Sequence, residues 1–270
     1  MLFYKLINNS MNICSNYLAF NFDNVYMKIY NYPVIITYVS LLYNLYTICV
    51  NYMKTVNLNN TKLNSPFPII NRVIASTHSC LLAIICIYYW LTYDDLFSQP
   101  NDEIHILQYI CLDIMNGYLI YDLMMDTLWN LLKFDLISLQ MFIHHVLGLI
   151  SIYLIRYYNS VPGAHYMMIV MLAEISTPFL HNSWIMYQYN YTNIISYKLT
   201  GYTLIILFFV FRILLSPYLI YKLIKEKDVW LSEPQYLFEI NLIISSVFMY
   251  LNYTWFIKLI KMACNKTKQN

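Results

Sequence analysis

MFIHHVLGLISIYLI, residues 141–155, sets two adjacent histidines inside an apolar run that would cross much of a bilayer's hydrocarbon core. The rest of the chain agrees with that setting. Of 270 residues, 60% are hydrophobic and 11% charged, against about 25% charged in a soluble domain. Apolar segments recur along nearly the whole length, so the membrane part is the protein, and its function is to be sought inside the bilayer.

Working outward from the histidines, about seven segments have roughly 20 apolar residues between polar or basic flanks. They are 33–53, 73–93, 106–126, 140–157, 165–187, 198–222 and 236–259. The expected fold is an all-α membrane protein of about seven transmembrane helices. Residues 1–32 have neither the apolar core nor the cleavage site of a signal peptide and read as an interfacial tail. Residues 33–65 are a first transmembrane helix with its loop, 66–263 the main domain and 264–270 a C-terminal tail. An odd number of spans puts the termini on opposite sides. A cytosolic C-terminus places nine Lys/Arg on the cytosolic flanks and six on the other side, with Arg212 inside a span. The acidic stretch around 94–105 then falls on the non-cytosolic side. Lys266 and Lys268 form a K-x-K-x-x ending, similar to the dilysine address that returns membrane proteins to the endoplasmic reticulum.

Charge excludes other classes. A formal net charge of +2 with no basic stripe argues against a nucleic-acid partner. The six cysteines are scattered, without a C-x-x-C pair, and read as buried or interfacial thiols. Six histidines with one close pair are too few for the histidine boxes of a membrane di-iron enzyme, so no metal site is expected. Four glycines cannot hide a G-x-S-x-G elbow or a phosphate-cradling loop.

Ionisable side chains at membrane depth cost several kcal/mol unless paired or solvated, so each needs a reason. Segment 106–126 carries Asp113, Asn116, Asp122 and Asp126. Asp122 and Asp126 lie four apart and share a helix face. His78 stands beside Ser76 and Thr77 and reads first as a helix–helix hydrogen-bonding group. In GAHYMMIVMLAEISTPFLHNSW, Pro178 removes the helical partner of the carbonyl four residues back, so the helix should kink or unwind close to Glu174. Arg212 either neutralises one of these carboxylates across the bundle or snorkels to the surface. Together Asp122, Asp126, Glu174 and Arg212 predict a polar interior. Since i and i+1 lie about 100° apart, only one of His144 and His145 can point into it, and the other faces a neighbouring helix. A neutral imidazole in a dry pocket suits a general base or acyl acceptor with a carboxylate fixing its tautomer; the alternative is that the pair only hydrogen-bonds across helices.

NRVIASTHS (71–79), GYLIYDLMMD (117–126), FIHHVLGL (142–149), MLAEISTPFLHNSW (171–184), FFVFRILL (208–215) and LNYTWFIKLIK (251–261) resemble, in order and spacing, the blocks of the TLC-domain family. The family includes ceramide synthases, translocon-associated proteins and smaller TLC-domain proteins, which the E-I-S-T-P-F block resembles most. The resemblance implies a helical barrel with a central lipid cavity, where a histidine pair meets acyl-CoA and a sphingoid base. His144 and His145 match that pair. Where ceramide synthases carry a histidine–aspartate motif in the next helix, this chain has Ala173-Glu174.

The leading expectation is a role in lipid homeostasis, with membrane lipids or acyl chains as partners, no cofactor and residence in the endoplasmic reticulum. His78, Asp126 and Arg212 would line the lipid cavity. The alternative is an N-acyltransferase with acyl-CoA as co-substrate. His144 or His145 would act as base or acyl acceptor and Asp122 or Glu174 as orienting carboxylate, with Lys54, Lys62 and Arg72 steering the CoA phosphates. A trafficking receptor is the weaker alternative. Oligomeric state is not legible.

Overall fold

In hydrocarbon a backbone must satisfy its own N–H and C=O groups, and a single apolar segment does so only as a helix. The computed structural model describes residues 31–53, 67–92, 106–127 and 136–267, and they are almost wholly helical. α1 (Asn31–Met53), α2 (Phe67–Thr92), α3 (Ile106–Asp122) and α4 (Leu136–Tyr158) come first. α5 (Val161–Val170) runs through a 3₁₀ segment, Met171–Ser176, into α6 (Thr177–Gln188). α7 (Ile195–Phe208) runs through a π segment, Phe209–Leu214, into α8 (Leu215–Lys225), and α9 (Gln235–Thr267) closes the chain.

Five of these stretches are long and apolar enough to cross a membrane: Val34–Tyr52, Phe67–Thr92, Leu136–Tyr158, Ile195–Lys225 and Tyr236–Cys264. The chain is an integral membrane protein. The two other expected spans are helical but differ in form. α3 has 17 residues and passes after Asp122 into a π turn, Leu123–Thr127. The stretch 165–187 is divided at the 3₁₀ segment. Residues 1–30, 54–66 with Lys54 and Lys62, 93–105 with the acidic stretch, and Lys268 lie outside the described residues.

Prolines account for two of the irregular segments. Pro178 cannot donate to the carbonyl of Glu174, and the backbone tightens so that the Thr177 N–H takes that carbonyl instead. The break expected near Glu174 is therefore present. Pro217 has the same effect on the carbonyl of Ile213, and the helix before it widens into the π segment. Ser216 Oγ donates to the Arg212 carbonyl at 2.5 Å and Tyr253 OH to that of Ile213 at 3.5 Å, so the loosened carbonyls are met by side chains.

The turn from α4 into α5 is tight for local reasons. Asn159 takes a left-handed φ of 54°, which its short polar side chain tolerates, and the Ser160 N–H returns to the Ile155 carbonyl at 2.9 Å. Ser160 caps α5 by accepting from the Gly163 N–H at 3.1 Å. A Cβ on Gly163 would stand 2.8 Å from both Ser160 Oγ and Ile155 Cγ1. Gly163→Ala is expected to break this corner at a cost of about 1–3 kcal/mol, read as a lowered unfolding midpoint in detergent.

α5, almost entirely buried, sits against α2, α3, α4 and α8. Around it the contacts run from α2 to α3, α4, α9, α8 with its π segment, α7 and α6, and back to α2; α1 packs outside on α3 and α2. Large apolar side chains such as Ile84, Leu91, Ile150, Ile206 and Ile243 point outward, as lipid-facing residues do, while Asn71, His78, Asp113, Asp122, His145, Arg212 and Asn252 are buried. Since lipid tails are as apolar as leucine, close packing and interhelical hydrogen bonds hold such helices together. Gly117 serves the first: a Cβ there would lie 3.2 Å from Tyr38 and 3.3 Å from the Ile35 carbonyl, so α1 and α3 approach through it.

Candidate functional site

The site is assembled where the regular helices fail. Untied from Thr177 by the 3₁₀ geometry, the Ala173 carbonyl accepts from Arg212 Nε at 3.2 Å. Arg212 also donates to Ser176 Oγ at 2.9 Å, Thr177 Oγ1 at 2.9 Å and Asn252 Oδ1 at 3.4 Å, and its Nη2 lies 3.6 Å from Glu174 Oε1. The other Glu174 oxygen accepts from Ser79 Oγ at 2.7 Å. The guanidinium thus fastens the π segment to the 3₁₀ segment and to α9, and Glu174 fastens the 3₁₀ segment to α2. Of the two roles open to Arg212, pairing with a carboxylate is the one adopted; it is 7% exposed and does not snorkel.

The two histidines part company. His145 Nε2 lies 3.3 Å from Asp122 Oδ2, whose other oxygen accepts from Tyr118 OH at 3.4 Å, so this imidazole faces α3. His144 turns the other way, packed against Phe248 and Trp255 of α9 with ring centroids at 4.8 and 5.5 Å. Its Nδ1 is buried without a hydrogen-bond partner.

His144, Glu174, Arg212 and Asn252 line one end of a pocket of about 70 Å³, several times the roughly 10–15 Å³ that one water needs. Along α4 the lining continues from His144 through Gly148 to Ile152, opposite Leu119 and Met115 of the antiparallel α3; Met167 and Leu219 complete the apolar end. Ser245 and Tyr166, hydrogen-bonded to each other at 2.7 Å, also line the pocket, at the level of Met167 and two helical turns from Asn252.

His78 is in the position of a helix–helix group, hydrogen-bonded through Nδ1 to Tyr38 OH at 2.9 Å and stacked on Tyr118 at 4.0 Å. It does not line the pocket. Arg72 donates to His181 Nδ1 at 3.2 Å, its guanidinium 3.9 Å above the Trp184 ring. Asp126 lies in the π turn, and its side chain falls outside the described ones. Asp113 pairs with Arg156 at 3.0 Å, away from the pocket. Among the described residues no three His, Cys, Asp or Glu side chains are grouped to hold a metal ion.

Sequence reasoning missed Ser79, Asn252, Trp255 and Gln140. Gln140 Oε1 accepts from both Trp255 Nε1 at 3.1 Å and Lys258 Nζ at 3.3 Å, one turn before His144. Ser79 and Asn252 lie within the blocks quoted above, and a small polar residue at membrane depth is the signal that would have found them.

The TLC-domain family model matches residues 68–261. A TLC domain-containing protein, L438 of Acanthamoeba polyphaga mimivirus, is 28% identical over 171 residues, 61% of this chain and 79% of that protein. The matched region holds every described residue of the site, and with a family model covering well over half its length this chain belongs to the TLC-domain family.

Proposed function

We propose that the protein holds the acyl chain of a membrane lipid in an intramembrane cavity, at the centre of a seven-span TLC-type barrel, and serves lipid homeostasis. One observation carries the reading: a single pocket joins an apolar channel to a polar end made of His144, Glu174, Arg212 and Asn252. That is the polarity of an acyl chain with its first ester or amide group. The closed circuit of helix contacts around α5 supports the barrel, with α3 and the bent α5–α6 unit as the two further spans. The larger Lys/Arg count on the flanks of the C-terminal side supports placing that side in the cytosol, and the endoplasmic reticulum is the membrane proposed.

Mass spectrometry of lipid co-purifying with the protein tests this. A Cβ at Gly148 would lie 3.0 Å from Leu119, so Gly148→Leu fills the channel between Leu119 and Ile152. The variant is expected to fold and lose most of the acyl lipid. Equal lipid recovery in both proteins, or none in either, would remove the reading.

The unpartnered Nδ1 of His144 favours a second reading, acyl transfer from acyl-CoA to an amine-bearing lipid. The amine attacks the thioester carbonyl while His144 takes its proton. The C–S bond breaks, and the departing CoA thiolate receives that proton. Glu174 and Arg212 set the field at the carbonyl, Asp122 holds His145, and Lys54, Lys62 and Arg72 meet the CoA phosphates.

A further inference from the structure

We propose that Lys258 is the phosphate anchor of this site, and that the lipid held there is a phosphate-bearing glycerolipid whose ester-linked chain enters the pocket beside His144. The inference rests on the reading of the pocket as a lipid site and names the lipid's class. Lys258 is half-buried and makes no ion pair among the described residues. Its Nζ is turned to a neutral amide oxygen, Gln140 Oε1, already shared with Trp255 Nε1. An ammonium has three donors, so two N–H groups and an uncompensated charge are left for an anion. A lysine that only snorkelled would stretch away from the bundle toward the headgroups; this one is drawn against α4.

The spacing selects the anion. Gln140 precedes His144 by one helical turn, about 5.4 Å along the axis, and the Trp255 ring touches both residues. A phosphate on Lys258 therefore stands roughly one turn, about 5–6 Å, from the level of the imidazole. In a glycerophospholipid a short glycerol bridge separates phosphate from ester carbonyl, and that reach fits. In acyl-CoA the whole pantetheine arm lies between thioester and nearest phosphate, and a phosphate at Lys258 would leave the thioester far past His144.

Depth agrees. Gln140 is four residues inside the start of the Leu136–Tyr158 helix stretch and Lys258 six residues inside the Cys264 end of its own, about 6–9 Å from either end, so both lie in the outer part of helices long enough to span. The pocket is also too small for a whole two-chain lipid, so the headgroup must lie outside it; Arg212 at its polar end is already paired with Glu174, whereas Lys258 is held on Gln140, one turn before His144.

The test is photo-crosslinking of the full-length protein in detergent with a phosphatidylcholine carrying a diazirine in one acyl chain. Dioleoyl phosphatidylcholine, dioleoylglycerol and oleoyl-CoA serve as competitors. The phospholipid is expected to compete about tenfold better than the diacylglycerol, the worth of one charge-assisted hydrogen bond. Lys258→Met should erase that preference while crosslinking persists, and Lys258→Arg should keep it, which separates loss of the anchor from loss of fold. Equal competition by phospholipid and diacylglycerol, or a preference untouched by Lys258→Met, would overturn the anchor while leaving the lipid pocket standing. Strongest competition by oleoyl-CoA would overturn it in favour of the thioester carrier. No crosslink to the wild-type protein would bring down the lipid reading itself.

Discussion

Arg212→Met is expected to destabilise the protein by about 3–5 kcal/mol, because it leaves the Glu174 carboxylate buried without its cation. The same change removes the guanidinium N–H groups that the Ala173 carbonyl and the Ser176, Thr177 and Asn252 side chains now accept, although Ser176 Oγ still donates to that carbonyl at 3.0 Å. Three of these acceptors sit at the break made by Pro178 and the fourth, Asn252, on α9, so the guanidinium joins elements that no backbone ladder connects. The matching single change, Glu174→Gln, should cost less, since the amide oxygen still accepts from Ser79 and Arg212 keeps four neutral acceptors. Combining Arg212→Met with Glu174→Met should cost clearly less than the sum of the separate changes, since a buried pair removed as a unit leaves no stranded charge. Unfolding in a fixed detergent, followed for the single and double variants, reads this directly. Additive losses would mean that Arg212 acts through its neutral acceptors alone and that the ion pair contributes little.

That hub shows what a sequence of this kind discloses. Membrane residence, the histidine pair and the break beside Glu174 follow from local chemistry: composition, helical periodicity and the missing N–H of Pro178. Pro217 carries the same signal in LLSPYLIY, yet its consequence differs, because a helix that loses one hydrogen bond can either tighten or widen, and the neighbouring helices decide which. The partners of charged residues were less legible. Arg156 counts as a flanking charge in sequence but pairs with Asp113 forty-three positions away, and Ser79 reaches Glu174 across ninety-five. Such pairings depend on how helices are rotated against each other, which no single helix encodes. The separation of His144 from His145 was legible, since 100° per residue forbids both from facing one way; which of them would face the pocket was not.

Substituting the two histidines one at a time is expected to give opposite phenotypes. His144→Ala removes a ring whose Nδ1 has no hydrogen bond and whose packing is against Phe248 and Trp255, so the fold loses contacts but strands no polar group. If acyl transfer is the activity, that variant should lose about 10²–10⁴ in turnover, the usual worth of a positioned base. His145→Ala instead takes the imidazole N–H away from the buried Asp122 carboxylate, which costs about 1–3 kcal/mol of stability. Its turnover per folded molecule should fall less than that of His144→Ala. Transfer of a labelled acyl group by purified protein, normalised to the folded fraction seen by unfolding in the same detergent, separates the two effects. The reverse pattern would move the base to the His145–Asp122 pair and require the reacting carbonyl to approach from the α3 side. Unchanged transfer in both variants would leave His144 as a wall of the pocket and His145 as a tie to α3, with the bound chain, and not a reaction, as what the site serves.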